Sequence, residues 1–313
     1  MKAETIPAEK DRFQGTLVAL ALGDALGAPY EGGLIERGLW FLIGKTKEGK
    51  RRWTDDTQMS LDLAESLLHC HGLDQEDLAR TFAASYRWCR GYGPGAAKIL
   101  KRIRRGQDWN SARRAVYAEG SYGNGGAMRS PVAALYCYAQ PEQLAAIVQG
   151  ATEITHAHEF AIEGALLVSR ATWCALGDFG SESIFDRLLD EVTAEPLRQR
   201  LKIACQWLGR HEQPTPKKIR RTLGAGITAV DSCVTAAYLG LSLLEGSLED
   251  LLEKVRQVGG DVDTIGAMAA SIWGARHGFH KIPVHLTHQL EDLDRLLRVA
   301  DDLWERSVNS DFY

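Results

Sequence analysis

LTHQLEDLDRLLRVADDLW, residues 286–304, decides the fold class. Leu286, Leu290, Leu293, Leu297, Ala300 and Trp304 step by 4, 3, 4, 3 and 4, the spacing that lines one face of a helix. Asp292, Asp294, Arg295, Asp301 and Asp302 fall between them and solvate the opposite face. A C-terminal helix over 284–308, packing on the rest through that stripe, is expected. Upstream the same period returns in Leu248, Leu251, Leu252, Val255 and Val258, and again in Leu61, Ala64 and Leu68 with Leu63 and Leu67 beside them. Alternating runs of Val, Ile and Thr are missing. Only Leu39 to Trp53, punctuated by Gly44 and Gly49, has room for a short irregular or hairpin piece. The fold class is all-α. No polar linker, Ser/Pro tract or fixed-period repeat divides the chain, so one domain over 1–313 is expected.

The 313 residues are enough to bury a core without staples. Lys and Arg total 37 against 41 Asp and Glu, a net charge of −4, which argues against a nucleic-acid partner gripped by basic surface. Hydrophobic content of 45% with 25% charged residues excludes a disordered or fibrous chain. The uncharged stretch Ser130 to Pro141 is too short and too mixed to span a bilayer. Met1 to Thr5 is followed by no apolar leader segment. Cys70, Cys89, Cys137, Cys174, Cys205 and Cys233 form no CxxC pair and sit in apolar helical segments, so free thiols are expected. The expectation is a cytoplasmic monomer that meets no membrane.

Two acidic clusters precede helical runs: Trp53-Thr54-Asp55-Asp56-Thr57 and Gly259-Gly260-Asp261-Val262-Asp263-Thr264. Each alone is explained as a helix cap with acids suited to the helix dipole. Together they offer four carboxylates and two hydroxyls, an oxygen-only set that suits Mg²⁺, Mn²⁺ or Ca²⁺. Four carboxylates exceed the needs of one Mg²⁺ and match two metals about 4 Å apart. The loop Gly120-Ser121-Tyr122-Gly123-Asn124-Gly125-Gly126 leads into the apolar run Ala127 to Tyr138. It reads as an anion site at a helix entry, or as a structural turn. It matches neither a Rossmann nor a Walker pattern. Gly23-Asp24-Ala25-Leu26-Gly27-Ala28-Pro29-Tyr30-Glu31 ends an amphipathic run begun at Phe13 and delivers Glu31 onto a loop. Thr155-His156-Ala157-His158 has no third His or Cys nearby, which favours a satisfied or ligand-stacking histidine over a zinc ligand.

These motifs, in this order, resemble the ADP-ribosylglycohydrolase (ADP-ribosylhydrolase, dinitrogenase-reductase-activating glycohydrolase) family. The resemblance runs from about Phe13 to Gly278. It is carried by GDALGAPYE ending at Glu31, WTDDTQM at Trp53–Met59, SYGNGGAMR at Ser121–Arg129, ITHAH at Ile154–His158 and GGDVDTIGAMAASIWGA at Gly259–Ala275. SYGNGGAMR, with Gly226 to Ser232, is most similar to the branch that frees ADP-ribose from serine and trims poly(ADP-ribose). The resemblance implies an orthogonal all-α bundle with two Mg²⁺ (Mn²⁺ also possible) in a cleft. Thr54, Asp55, Asp56, Asp261, Asp263 and Thr264 match its metal ligands, and Glu31 its mobile glutamate beside the metals. Gly120, Ser121, Tyr122, Gly123, Asn124 and Gly125 match the part that holds the diphosphate and distal ribose. His156 matches a ligand-contacting histidine, Ile227 an adenine-side contact and Gly95 a phosphate-side contact.

The implied activity is hydrolysis at the ribose anomeric carbon of ADP-ribosylated protein, with Glu31, Asp55 and Asp263 as candidates for managing protons. An O-linked substrate is expected: serine-linked ADP-ribose, O-acetyl-ADP-ribose or poly(ADP-ribose). The alternatives are an arginine-specific hydrolase and a non-catalytic ADP-ribose-binding protein, the latter disfavoured by the complete ligand set. Leu34 to Arg52, with Lys45, Lys47, Lys50, Arg51 and Arg52, is expected to line the leaving-group side and repel a guanidinium, the bland alternative being a solvated loop.

Overall fold

The computed structural model describes residues 8–177 and 179–309, and helices dominate them. The leader reading at Met1–Thr5 and the outer ends of the 1–313 unit lie outside the described residues. In chain order the first helices are α1 (Ala8–Gly27), α2 (Leu34–Ile43), α3 (Asp55–Cys70), α4 (Gln75–Ser85), α5 (Pro94–Arg104) and α6 (Trp109–Arg114). Next come α7 (Pro131–Tyr136), α8 (Leu144–Glu153), α9 (Glu159–Leu176), α10 (Ser181–Glu191), α11 (Glu195–Gly209) and α12 (Pro216–Thr222). The last are α13 (Ala229–Ser242), α14 (Leu248–Val258), α15 (Val262–His277), α16 (Val284–Thr287) and α17 (Leu293–Val308). Extended pairing among the described residues is confined to isolated bridges, Lys45 with Arg51, Arg51 with Leu290 and Gly123 with Thr228. The fold is all-α. No helix among the described residues is long and apolar enough to cross a membrane.

α1 and α15 form the axis. Between Phe13 and Tyr30 the only charge is Asp24, and every residue of α15 from Val262 to Ala275 is buried. A helix apolar all round belongs in an interior. The two meet backbone to backbone through small residues at four-residue steps, Gly15, Ala19, Gly23 and Gly27. A methyl on Gly15 would lie 2.5 Å from the carbonyl carbon of Gly278, and one on Gly27 would lie 2.5 Å from the Asp263 Cα. One on Gly23 would fall inside the Gly266 carbonyl. α13, α9 and α14 flank α15, while α17 and α3 cover α1. The N-termini of α3 and α15 are thereby brought to the same end of α1.

The C-terminal helix expected over 284–308 is two pieces. Arg51 N donates to Gln289 O (2.5 Å) and Glu291 N donates to Arg51 O (3.0 Å), so tertiary bonds replace helical ones at 289–291. Asp292, at φ 41°, then turns the chain into α17. The deepest stripe of α17 is Leu296, Val299, Ala300 and Leu303, with Leu293, Leu297 and Trp304 at its margin. In the Leu39–Trp53 stretch, α2 continues to Ile43, and the hairpin piece shrinks to the Lys45–Arg51 bridge around Gly49. All six cysteines are free.

Candidate active site

Thr54 caps α3, its hydroxyl accepting from Asp56 N at 3.3 Å. Asp24, from the glycine seam of α1, braces the same turn. Its carboxylate accepts from Thr54 N (2.9 and 3.0 Å), Thr57 N (3.0 Å) and Thr57 Oγ1 (2.5 Å). Asp261 stands at the start of α15 after Gly259 and Gly260, both at positive φ, and its side chain makes no cap hydrogen bond. No side chain fits at Gly260, because a Cβ would strike the Ala225 carbonyl, to which Asp261 N donates at 2.9 Å. Thr264 Oγ1 donates to Asp56 (3.2 Å), joining the two acidic loops, and Thr264 N donates to Asp263 Oδ1 (2.9 Å).

Carboxylate oxygens gather in two trios, Asp24 with Asp56 and Asp263, and Glu31 with Asp261 and Asp263. Within each trio the oxygens lie within 4.8 Å of one another. Asp55 stands outside both trios but lines the same cleft. Burial raises all the aspartates, Asp24 and Asp261 to about 6 and Asp55, Asp56 and Asp263 well above the usual range. After burial the largest cause is the Asp24 charge for Asp55 and Asp56, and the Glu31 charge for Asp261 and Asp263. No Lys or Arg lines this cleft among the described residues. An oxygen-only donor set with unmet negative charge fits hard divalent cations.

The glycine loop forms the other wall. Asn124 ties it to the acids, donating through Nδ2 to Asp261 Oδ2 (2.6 Å) and Ser232 Oγ (3.1 Å). Its backbone is laced to the 226–229 turn by Asn124 N to Ile227 O and Ala229 N to Tyr122 O, both 3.0 Å. Ser121, Gly123, Gly125, His156, Ile227 and Gly95 all line the cleft with Glu31, Asp55, Asp56, Asp261, Asp263 and Thr264. Ile227 is exposed at its rim, while Tyr122, also exposed, is not among the residues that line it. Gly120, at φ 86°, packs against the backbone of Ala157 and His158, and Thr54 sits beneath the acids as a cap.

Two expectations need correction. The glycine loop does not enter a helix directly: Asn124–Gly126 is one 3₁₀ turn, and α7 begins only at Pro131, whose ring fixes that later start. The basic run does not line the cleft either. Lys50 donates to His288 O (2.5 Å), Arg51 pairs with 289–291, and Arg52 donates to Ile43 O (2.8 Å). The first two contacts hold Lys50 and Arg51 against the segment between α16 and α17, Arg52 ties back to the end of α2, and Lys45 and Lys47 are exposed. Sequence reasoning also passed over Asp24. Its signal was a single charge in an otherwise uncharged helical run, flanked by Gly23 and Gly27.

A family model described as ADP-ribosylglycohydrolase matches residues 5–311. The chain belongs to the ADP-ribosylglycohydrolase family. It is 32% identical to ADP-ribosylhydrolase ARH3 of Xenopus tropicalis, across 88% of this chain and 89% of that one. It is 31% identical to an uncharacterized protein of Archaeoglobus fulgidus, across 95% and 97%. A solved structure, described as an ADP-ribosylglycohydrolase-related protein complex, superposes with a TM-score of 0.72 at 25% identity, covering 96% of this chain and 99% of that one. As an ADP-ribosylglycohydrolase, the chain is a glycosidic-bond hydrolase that removes ADP-ribose. The family resemblance drawn from the five motifs therefore holds.

Proposed function

We propose that this glycohydrolase frees ADP-ribose from serine side chains of modified proteins, using two divalent cations, Mg²⁺ or Mn²⁺. The observation that carries the metal reading is the pair of carboxylate trios sharing Asp263, in a cleft without a cation of its own. Glu31, Thr54, Asp55, Asp56, Asp261, Asp263 and Thr264 would hold the metals. Bound there, they supply charge that fixes the ribose hydroxyls and lowers the pKa of a nearby water. The loop from Gly120 to Gly125, with Tyr122, Asn124, His156, Ile227 and Gly95, holds the rest of ADP-ribose. One carboxylate among Glu31, Asp55 and Asp263 takes a proton from the attacking water as the C1–O bond breaks through an oxocarbenium-like state. A second gives a proton to the departing serine oxygen.

The serine assignment is supported by the likeness of SYGNGGAMR to the serine-acting branch. A second reading, an arginine-linked substrate, is favoured by the five carboxylates of the lining, Glu31, Asp55, Asp56, Asp261 and Asp263, which attract a guanidinium. Two peptides carrying ADP-ribose on serine or on arginine, assayed side by side with Mg²⁺ at equal concentration, separate the two. Faster release from the serine peptide is expected, and faster release from the arginine peptide overturns the assignment. Glu31→Gln distinguishes hydrolysis from mere binding: turnover should fall on the order of 10²–10⁴-fold while ADP-ribose still binds by calorimetry.

A further inference from the structure

Behind the glycine loop lies Arg129, only 1% exposed. Its Nη1 donates to Gly125 O (2.5 Å), and its Nη2 donates to Ala151 O and Thr155 Oγ1, both at 2.9 Å. The guanidinium rests on the Phe82 ring, 4.9 Å from its centre. Thr155, itself buried, has its Oγ1 2.8 Å from His156 Nδ1. The imidazole is wedged against Gly123 and Gly125: a Cβ on either would come within 3.2 Å or 2.9 Å of Nε2. Nε2 has no protein partner among the described residues, and His156 lines the cleft.

We propose that Arg129 and Thr155 fix His156 as the neutral Nε2–H tautomer, so that its ring always offers the cleft a hydrogen-bond donor. A guanidinium only donates, so the Thr155 oxygen receives from Arg129 and has one proton of its own to place. The acceptor within reach of that proton is His156 Nδ1. Were Nδ1 to carry hydrogen instead, the Thr155 hydroxyl proton would be left unpaired in a buried site, a loss that disfavours that tautomer by about tenfold or more. Burial, and then the Arg129 charge, push the imidazole down to about 3, so the ring stays neutral near pH 7. The group such a donor serves is an oxygen acceptor beside Gly123 and Gly125. On the reading above, on which this role rests, that acceptor belongs to the ADP-ribose diphosphate. Arg129 and Thr155 are then positioning residues, acting on the ligand through His156.

The test uses the full chain labelled with ¹⁵N-histidine, free of ADP-ribose, near pH 7. Long-range proton–nitrogen spectra distinguish the neutral tautomers, and His156→Gln identifies the signal among the 9 histidines. The wild type should show Nε2–H. Thr155→Val should lose that preference and weaken ADP-ribose binding by about tenfold, and Thr155→Ser should restore both. A wild-type ring found as Nδ1–H or as imidazolium overturns the proposal without any variant having to fold. So does an unchanged tautomer in Thr155→Val. Absence of ADP-ribose binding by the wild type would count against the functional reading alone, since the tautomer is read without ligand.

Discussion

Replacing Gly23 by alanine should open the seam on which the acidic cluster is built. The added methyl would stand 2.7 Å from Ala267 N and closer still to the Gly266 carbonyl, where ordinary contact needs about 3.5 Å. α1 and α15 must therefore part by about 0.8 Å or more at this point. Overpacking of this kind costs about 3 kcal/mol, and the better helix propensity of alanine returns about 1 kcal/mol. The net loss of about 2 kcal/mol corresponds to a melting temperature lower by about 3 °C for a chain of this size. The same shift moves Asp24 relative to Asp263, and misplacement near 1 Å can cost about 10²-fold in turnover. Gly38→Ala is the matched control, because a methyl there meets nothing within 4 Å in α2. Thermal unfolding by circular dichroism and release of ADP-ribose from a modified peptide are the two assays. A Gly23→Ala protein that melts with the wild type and keeps turnover within about twofold would refute the idea that this seam positions the site.

Two further outcomes follow from the buried acids. In excess chelator, Asp24 and Asp261 have folded values of about 6 against 3.8, so the folded state holds more protons in that window and stability falls as pH rises through it. The metal-free melting temperature should therefore drop between about pH 4 and about pH 7, and Mg²⁺ added at the upper end should raise it by mass action; a metal-free protein that gains stability over that range contradicts this. Asp24→Asn leaves an acceptor for Thr57 but turns an amide N–H toward Thr54 N, at a cost of about 1–3 kcal/mol. The Mg²⁺ concentration for half-maximal turnover should then rise at least about tenfold, and an unchanged Mg²⁺ titration would remove Asp24 from any part in the cluster.

Helix periods made the fold class legible, because apolar spacing reports a face wherever a helix lies on a surface. α1 and α15 show where that signal ends. Buried all round, they have no polar face to contrast, and their contact is written in Gly15, Gly23 and Gly27, which carry no hydropathy. The break between α16 and α17 was invisible for a related reason. Leu286, Leu290 and Leu293 keep helical spacing across it, and the interruption comes from Arg51, far away in sequence, taking the backbone of 289–291. Within the basic run, Lys50 and Arg51 misled for the same cause, because they look free until the segment that captures them is in place.

The acidic loops were legible singly and ambiguous singly: Thr54 does cap its helix as a bland reading requires, whereas Asp261 stands at the start of α15 without capping it through its side chain. The decision lies in their sum. Asp24, Glu31, Asp55, Asp56, Asp261 and Asp263 bring six carboxylates to one end of the bundle. Against them stand two helix N-termini, of α3 and α15, each equivalent to about half a positive charge, and a few backbone N–H groups. With all six ionised, caps alone would leave about five negative charges unmet in a buried place, far more than capping needs or burial tolerates. Two divalent cations would bring +4, close to the deficit, and one would leave most of it. That arithmetic supports two metals over one and over none. It also explains why Asp24 had to be seen in place: without it the count looks like ligands, and with it the shape of the turn that presents Asp55 and Asp56 has a cause.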